Sequence, residues 1–225
     1  MKRFLKENSL SLFFLLIFAL ALVGQALAGQ AKFNDQQLVD GGQPISLVEY
    51  VATSDFAVDV AENWQSEYLQ FLLFILATVW LVQRGSPESK ELGKEGGESD
   101  EDQLVGEHAR RDSPAWATAG GLRKALISNS LGWVMGLVFA LSWLAQSVAG
   151  AWRAGNAERL AELRDPESWG GYVTGPEFWS RTLQNWQSEF LAVASMVALS
   201  IYLRQRGSAE SKPVGSPHDA TGVEG

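Results

Sequence analysis

Asn63-Trp64-Gln65-Ser66-Glu67 returns later in the chain as Asn185-Trp186-Gln187-Ser188-Glu189. Each copy is followed by an apolar run, and each run by a second shared string. That string is Gln83-Arg84-Gly85-Ser86-Pro87-Glu88-Ser89-Lys90 in the first case and Gln205-Arg206-Gly207-Ser208-Ala209-Glu210-Ser211-Lys212 in the second. Both strings keep the same offset, so no gap separates the copies. An apolar helix bounded twice by the same polar residues predicts an all-α membrane protein, with four transmembrane helices built as a tandem duplication of a two-helix hairpin.

The likeness extends outward from these strings. Tyr50-Val51 and Asp55-Phe56 match Tyr172-Val173 and Glu177-Phe178. Further upstream, Asn8-Ser9-Leu10 matches Asn129-Ser130-Leu131, Phe18-Ala19-Leu20 matches Phe139-Ala140-Leu141, and Gln25 and Gly29 match Gln146 and Gly150. Leu10 to Ala28 and Leu126 to Ala151 contain no charged residue. Runs of roughly 18 or more apolar residues are candidates to cross hydrocarbon about 30 Å thick.

Four spans are expected, at residues 6–28, 63–84, 124–150 and 182–205. The first also has the parts of a secretory signal peptide: Lys2, Arg3 and Lys6, an apolar run, then Ala26-Leu27-Ala28. Its later counterpart is internal and has nothing to target, so the first is read as a retained span. The apolar parts of the second and fourth spans, Leu69 to Val82 and Leu191 to Leu203, are short. A helix from Glu67 to Arg84 would be roughly 25 Å long, placing the acid near one membrane boundary and the cation near the other.

This divides the chain into a first hairpin repeat at 1–90, an acidic linker at 91–120 expected to be disordered, a second hairpin repeat at 121–212 and a disordered tail at 213–225. Within the second repeat, Thr174-Gly175-Pro176-Glu177 reads as a helix start, with proline in the first turn and an acid at the positive end of the dipole. Of the 18 Lys and Arg residues, most fall on the N-terminus, the middle connector and the C-terminal tail. The positive-inside rule then puts both termini in the cytoplasm of a multi-pass protein of the cell (inner) membrane. Two crossings per repeat give both halves one orientation, related by a pseudo-two-fold axis along the membrane normal.

Composition excludes several function classes. The chain has 0 Cys, which removes disulfide and thiolate chemistry. Its formal charge of -8 argues against nucleic acid as a partner. There is no His-Glu-x-x-His, no phosphate-binding glycine loop and no Gly-x-Ser-x-Gly, and His108 and His218 fall in segments expected to be disordered. No catalytic, cofactor-binding or metal-binding residue is predicted; neither a cofactor nor enzyme activity is expected.

Three groups of residues stand out. Asn63 and Glu67 share a helix face, as do Asn185 and Glu189, and the two faces could meet as a polar cluster that binds a cation or shares a proton. The plainer reading, which we favour, is that these residues mark where a helix leaves water. Trp64, Arg84, Trp186 and Arg206 are candidate membrane-interface anchors. Ser128, Gly132, Gly136 and Ala140 recur every four residues as a candidate helix-packing face, a pattern broken at Ser11, Leu15 and Ala19 in the first half.

At the paired Asn-Trp-Gln-Ser-Glu and Gln-Arg-Gly-Ser-x-Glu-Ser-Lys strings, the chain resembles a family of small bacterial integral membrane proteins classed as a domain of unknown function. The resemblance runs from the first span to Lys212. It implies a bacterial inner-membrane location and brings no activity with it. The expected function is therefore non-enzymatic, through helix packing or association with its own copies or another membrane protein, with the lipid bilayer as the first partner. The alternative is a small proton- or cation-coupled transporter or channel using Glu67 and Glu189.

Overall fold

The computed structural model describes residues 2–153, 165 and 167–223; Arg159 and Arg164, which enter the orientation argument, lie outside them. Among the described residues the regular elements are all helical. They are α1 (Lys2–Glu7), α2 (Ser9–Val39), α3 (Leu47–Val51), α4 (Ser54–Trp80), α5 (Gly121–Ser128), α6 (Ser130–Arg153), α7 (Trp169–Thr174) and α8 (Pro176–Leu199). The helix start expected near Pro176 is where α8 begins.

Asn8 and Asn129 interrupt their helices in the same way. Their φ and ψ are −116° and 17° in one case and −117° and 17° in the other. Each Nδ2 donates to the carbonyl four residues back, Phe4 at 2.9 Å and Ala125 at 2.8 Å. A short amide side chain that competes for a backbone acceptor loosens the helix at that turn. The residue type that opens each apolar run thus carries the break between α1 and α2 and between α5 and α6.

Helix α2 continues well past the expected boundary at residue 28, to Val39. Nothing between Gln30 and Val39 breaks a helix, and the next two glycines are Gly41 and Gly42. Gln30 and Asn34, one turn apart, both donate to the Ile45 carbonyl, at 2.9 and 3.0 Å, and Asn34 accepts the Ile45 N–H at 2.8 Å. These bonds fold the following loop onto α2 and lead it into α3, whose start is a capping box between Ser46 and Glu49. Ser168 caps α7 by accepting the Gly171 N–H.

Two of the four expected spans need correction. Only α2 and α6 are long and apolar enough to cross a membrane among the described residues. Helices α4 and α8 stop at Trp80 and Leu199, short of Arg84 and Arg206, so 63–84 and 182–205 are not continuous helices. The reason is how their last carbonyls are satisfied, since a helix end leaves four of them without intrahelical donors. The Gly96 N–H turns back to the Val79 carbonyl at 2.7 Å. At the end of α8 the Leu199 carbonyl accepts the Tyr202 and Leu203 N–H groups at 3.1 and 2.8 Å, and Arg204 Nη1 holds the turn that follows by donating to the carbonyls of Ser200, Ile201 and Leu203 at 3.2, 3.0 and 2.8 Å. A loop amide on α4 and the backbone N–H groups of the following turn on α8 thus supply those donors, and helix continuation is not needed.

The chain forms two compact units, each drawing on both halves of the sequence. One comprises Met1–Ala61 and Ala145–Gly175, the other Glu62–Leu144 and Pro176–Gly225. In the first, Tyr50 and Tyr172 are buried, with their hydroxyls against Gly29 and Gly150. In the second, Trp143 packs among Phe139, Phe178, Trp179 and Trp186, with ring centroids 5.5 to 6.1 Å apart. Residues 91–120, in the second unit, run as turns with two short 3-10 helices, Gly106–His108 and Ala115–Thr118, and an ion pair from Asp100 to Lys124. The apolar helix surfaces are left largely uncovered: 6% of the most apolar stretch of α2 and 28% of that of α6 are buried within the chain.

Candidate functional site

The two Asn-Trp-Gln-Ser-Glu strings lie in the second unit, one on α4 and the other on α8. They present different faces. On α4 the inward residues are Gln65 and Ser66, 0% and 1% exposed, with Leu69 one turn on, while Asn63, Trp64 and Glu67 point outward. On α8, Asn185, Trp186 and Glu189 are half-buried, and Gln187 and Ser188 are exposed. Successive helical residues differ by about 100° in direction. Identical strings therefore take unlike roles through a small difference in rotation.

The strings meet through residues outside the expected quartet. Trp186 Nε1–H donates to Gln65 Oε1 at 2.8 Å. Asn185 Nδ2 donates to the Arg181 carbonyl of its own helix at 3.0 Å. Ser66 and Ser188 donate to the carbonyls of Asn63 and Asn185, each at 2.9 Å. Of the two acids, Glu67 is exposed on α4 and Glu189 half-buried on α8. Toward the N-terminal ends of the two strings, Arg181 Nε pairs with Glu62 Oε2 at 2.6 Å, with side chains 24% and 16% exposed. Thr182 beside it is fully buried.

Sequence reasoning missed Gln65, Glu62, Arg181 and Trp143. One signal for Arg181 was present, since its counterpart in the first copy is Asp59, so the copies carry opposite charges there. An acid and a base at matching offsets from the two strings cannot serve the same ion pair. Trp143 Nε1 and Gln65 Nε2 are buried donors without an acceptor among the described residues, so this layer is polar without being fully satisfied.

Of the candidate anchors, Trp64 is exposed and Trp186 is held by Gln65. Arg84 pairs with Asp219 at 3.1 Å between exposed side chains, and Arg206 is exposed. Of the candidate packing face, Gly132 and Gly136 lie against α4. A Cβ on Gly132 would stand 3.9 Å from Leu76 Cδ2, and one on Gly136 would stand 3.7 Å from Leu72 Cδ2. Ser128 and Ala140 are exposed. Those distances are ordinary van der Waals contacts, so Gly136→Ala should fit. With about 1 kcal/mol of helix propensity in its favour, the variant is expected to unfold no more easily than the parent in a denaturant titration in detergent.

A family match runs over residues 1–223, including both strings and both apolar helices. The chain belongs to the family described as Domain of unknown function (DUF6766). No curated protein and no solved structure matches it.

This DUF6766 chain carries a second polar cluster, in its first unit. Arg153, at the end of α6, faces Asp55 at 3.2 Å and Asp59 at 3.7 Å on α4. Tyr50 lies in the same unit, packed between Phe33 and Phe56 with ring centroids 5.7 and 5.6 Å away. Burial raises the Tyr50 phenol above its ordinary value, Asp59 and Asp55 raise it further, and Arg153 opposes them. The folded state thus holds this proton more tightly than the unfolded state. The stability it contributes is complete below the unfolded phenol value of about 10 and is lost as pH rises through the higher folded value. Unfolding midpoints followed from about pH 9 to pH 12 should fall, and Tyr50→Phe should flatten that fall. Among the described residues, no group of three or more His, Cys, Asp or Glu is placed to hold a metal ion.

Proposed function

We propose that the chain is a non-enzymatic integral membrane protein of the bacterial inner membrane that works by association, with lipid around it and with its own copies or another membrane protein beside it. The observation that carries this is the uncovered apolar surface of α2 and α6, 6% and 28% buried along their most apolar stretches. A core helix of a water-soluble protein buries such a surface, and large contiguous apolar patches mark a membrane or protein contact. Retention of the first helix is supported by the unbroken run of α2 through Gly29 and by the packing of Gly29 on Tyr50.

In this reading the halves are a tandem duplication, and the apolar ends of α4 and α8 complete the crossings begun by α2 and α6, leaving both termini cytoplasmic. The chain has no native cysteine, so single cysteines report topology directly. Gln43→Cys and Glu167→Cys should both label from outside the cell and Ser216→Cys only from within. Labelling of the first two from opposite faces would rule the topology out. Blue-native electrophoresis with crosslinking should find the chain in assemblies, and isolated monomers alone would sink the association reading.

A second reading, a proton- or cation-coupled transporter or channel, draws support from the placement of Glu67 on α4 and Glu189 on α8 within one compact unit. Neighbouring carboxylates resist ionising together and can share a proton or a cation. It requires a pH-dependent flux in liposomes that Glu67→Gln and Glu189→Gln abolish. A flux indifferent to both changes, or none in the parent, ends it.

A further inference from the structure

Both Gln-Arg-Gly-Ser-x-Glu-Ser-Lys strings close into the same loop. The Ser86 and Ser208 N–H groups donate to the carbonyls of Gln83 and Gln205 at 3.1 and 3.2 Å. The Glu88 and Glu210 N–H groups donate to the Ser86 and Ser208 hydroxyls at 3.3 and 3.2 Å. The Gln83 and Gln205 N–H groups donate to the Ser89 and Ser211 hydroxyls at 2.8 and 2.9 Å. Those hydroxyls donate in turn to the carbonyls of Lys90 and Lys212, at 3.0 and 3.1 Å. Gly85 and Gly207 take positive φ, 88° and 81°, which the turn requires. Each string is thus held in shape by its own side chains, before anything binds it.

What covers the two loops differs. The first is covered by the chain's own tail. Arg84 pairs with Asp219 at 3.1 Å, the Gly85 N–H donates to Thr221 Oγ1 at 2.8 Å, and the Gly222 N–H donates to the Ser86 carbonyl at 3.1 Å. Lys212, 1% exposed, clamps the bend of the tail by donating to the carbonyls of Gly85, Pro217, His218 and Ala220 at 2.6, 3.2, 2.9 and 3.1 Å. A Cβ on Gly85 would overlap the His218 carbonyl, so the tail lies directly on the backbone of the loop.

The second loop has the same groups and no such cover. Arg206 is exposed and, among the described residues, has no ion-pair partner. The Gly207 N–H has no acceptor among them, and nothing lies within 4 Å of where its Cβ would stand. An open groove of about 340 Å³, lined by Arg206, Gly207, Ser208, Lys212 and Val214 among others, runs beside it.

We propose that the Gln205–Lys212 loop is a peptide-binding site for a segment of a partner protein that carries a carboxylate two residues before a hydroxyl and then glycine. That is the chemistry of Asp219-Ala220-Thr221-Gly222 on the twin loop. The carboxylate meets the Arg206 guanidinium, as Asp219 meets Arg84. The hydroxyl oxygen accepts the Gly207 N–H, as Thr221 accepts that of Gly85. The chain's own tail is already engaged, so the occupant comes from another protein. The site deepens the association reading by naming one contact through which a partner is held. A peptide titration reads that contact alone, whereas native electrophoresis reads the assembly.

The probe is a fluorescent peptide with the sequence of Pro213–Val223, titrated with the full chain in nanodiscs and followed by anisotropy. Saturable binding is expected. Arg206→Ala should weaken it at least tenfold, Asn in place of Asp219 in the peptide should do the same, and Arg84→Ala should leave it unchanged. Arg206 is exposed, so its loss should leave the far-ultraviolet dichroism of the chain as it was. The proposal is overturned by an absence of saturable binding, by binding indifferent to Arg206→Ala, or by binding lost in Arg84→Ala. The last would mean that the peptide only displaces the chain's own tail from the first loop.

Discussion

Gly150→Ala is expected to destabilise the first unit by about 2 kcal/mol, and Gly29→Ala by a similar amount. A Cβ on Gly150 would overlap Tyr172 Oη and stand 2.6 Å from Cζ and 2.7 Å from Cε1. On Gly29 it would overlap Tyr50 Oη and stand 2.9 and 3.0 Å from the same ring atoms of that residue. The hydroxyl and two ring carbons of one rigid phenol cannot step aside one at a time. The rings are 1% and 3% exposed, so moving either one displaces its neighbours as well. Overpacking of this kind costs about 3 kcal/mol at the upper end of its range, and alanine recovers about 1 kcal/mol through helix propensity. Thermal or denaturant unfolding in detergent measures the difference. A double-mutant cycle with Tyr172→Leu separates the ring from other causes, because the cost of Gly150→Ala should largely vanish once the ring is gone. A Gly150→Ala variant as stable as the parent would show that the helix and the tyrosine do not approach this closely. The contrast with Gly136, where a Cβ meets leucine at 3.7 Å, is the internal control.

Helix type and approximate placement were legible in the chain, because long uncharged runs and a helix start at Pro176 leave few alternatives. The boundaries were not. Asn8 and Asn129 read as ordinary polar residues ahead of an apolar run, yet their amides capture carbonyls and break the helix. The far ends of α4 and α8 were expected near the arginines, and they come earlier because the Gly96 N–H reaches back to Val79 and the turn at Tyr202 and Leu203 folds back onto the Leu199 carbonyl. Such returns depend on tertiary folding and leave no periodic trace.

The candidate site was legible only in part, for a related reason. The spacing of Asn63 and Glu67 puts them on one face of a helix, but spacing does not say which way that face points. Rotation is decided by the residues that bury, here Gln65, Ser66 and Leu69 on α4, and by partners that the two copies do not share. Arg181 finds Glu62, while their counterparts in the other copy are Asp59 and Gln184, which cannot form that pair. A symmetric sequence reading therefore misses a bond as asymmetric as that from Trp186 to Gln65.

That bond sets the second large expectation. Trp186→Phe should cost about 3 kcal/mol, and the double variant Gln65→Leu/Trp186→Phe should regain most of it. Gln65 is 0% exposed, and its one hydrogen bond among those described is the 2.8 Å bond accepted from the indole. Its Nε2 has no acceptor among the described residues. Removing the indole N–H leaves an entire buried amide unpaired, and a group in that state costs about 1–3 kcal/mol. The smaller phenyl ring also packs less well against Trp143, which adds to that cost. Leucine in place of Gln65 removes the stranded amide at similar volume, and replacing both partners of a buried hydrogen bond by apolar groups is close to neutral. Gln65→Leu alone should fall between the two, since it strands only one indole N–H while removing the unpaired Nε2. Denaturant midpoints of the four proteins in detergent decide the matter. If the double variant is as unstable as Trp186→Phe, the loss lies in packing around Trp143, and the two strings are held together by steric fit and not by a hydrogen bond.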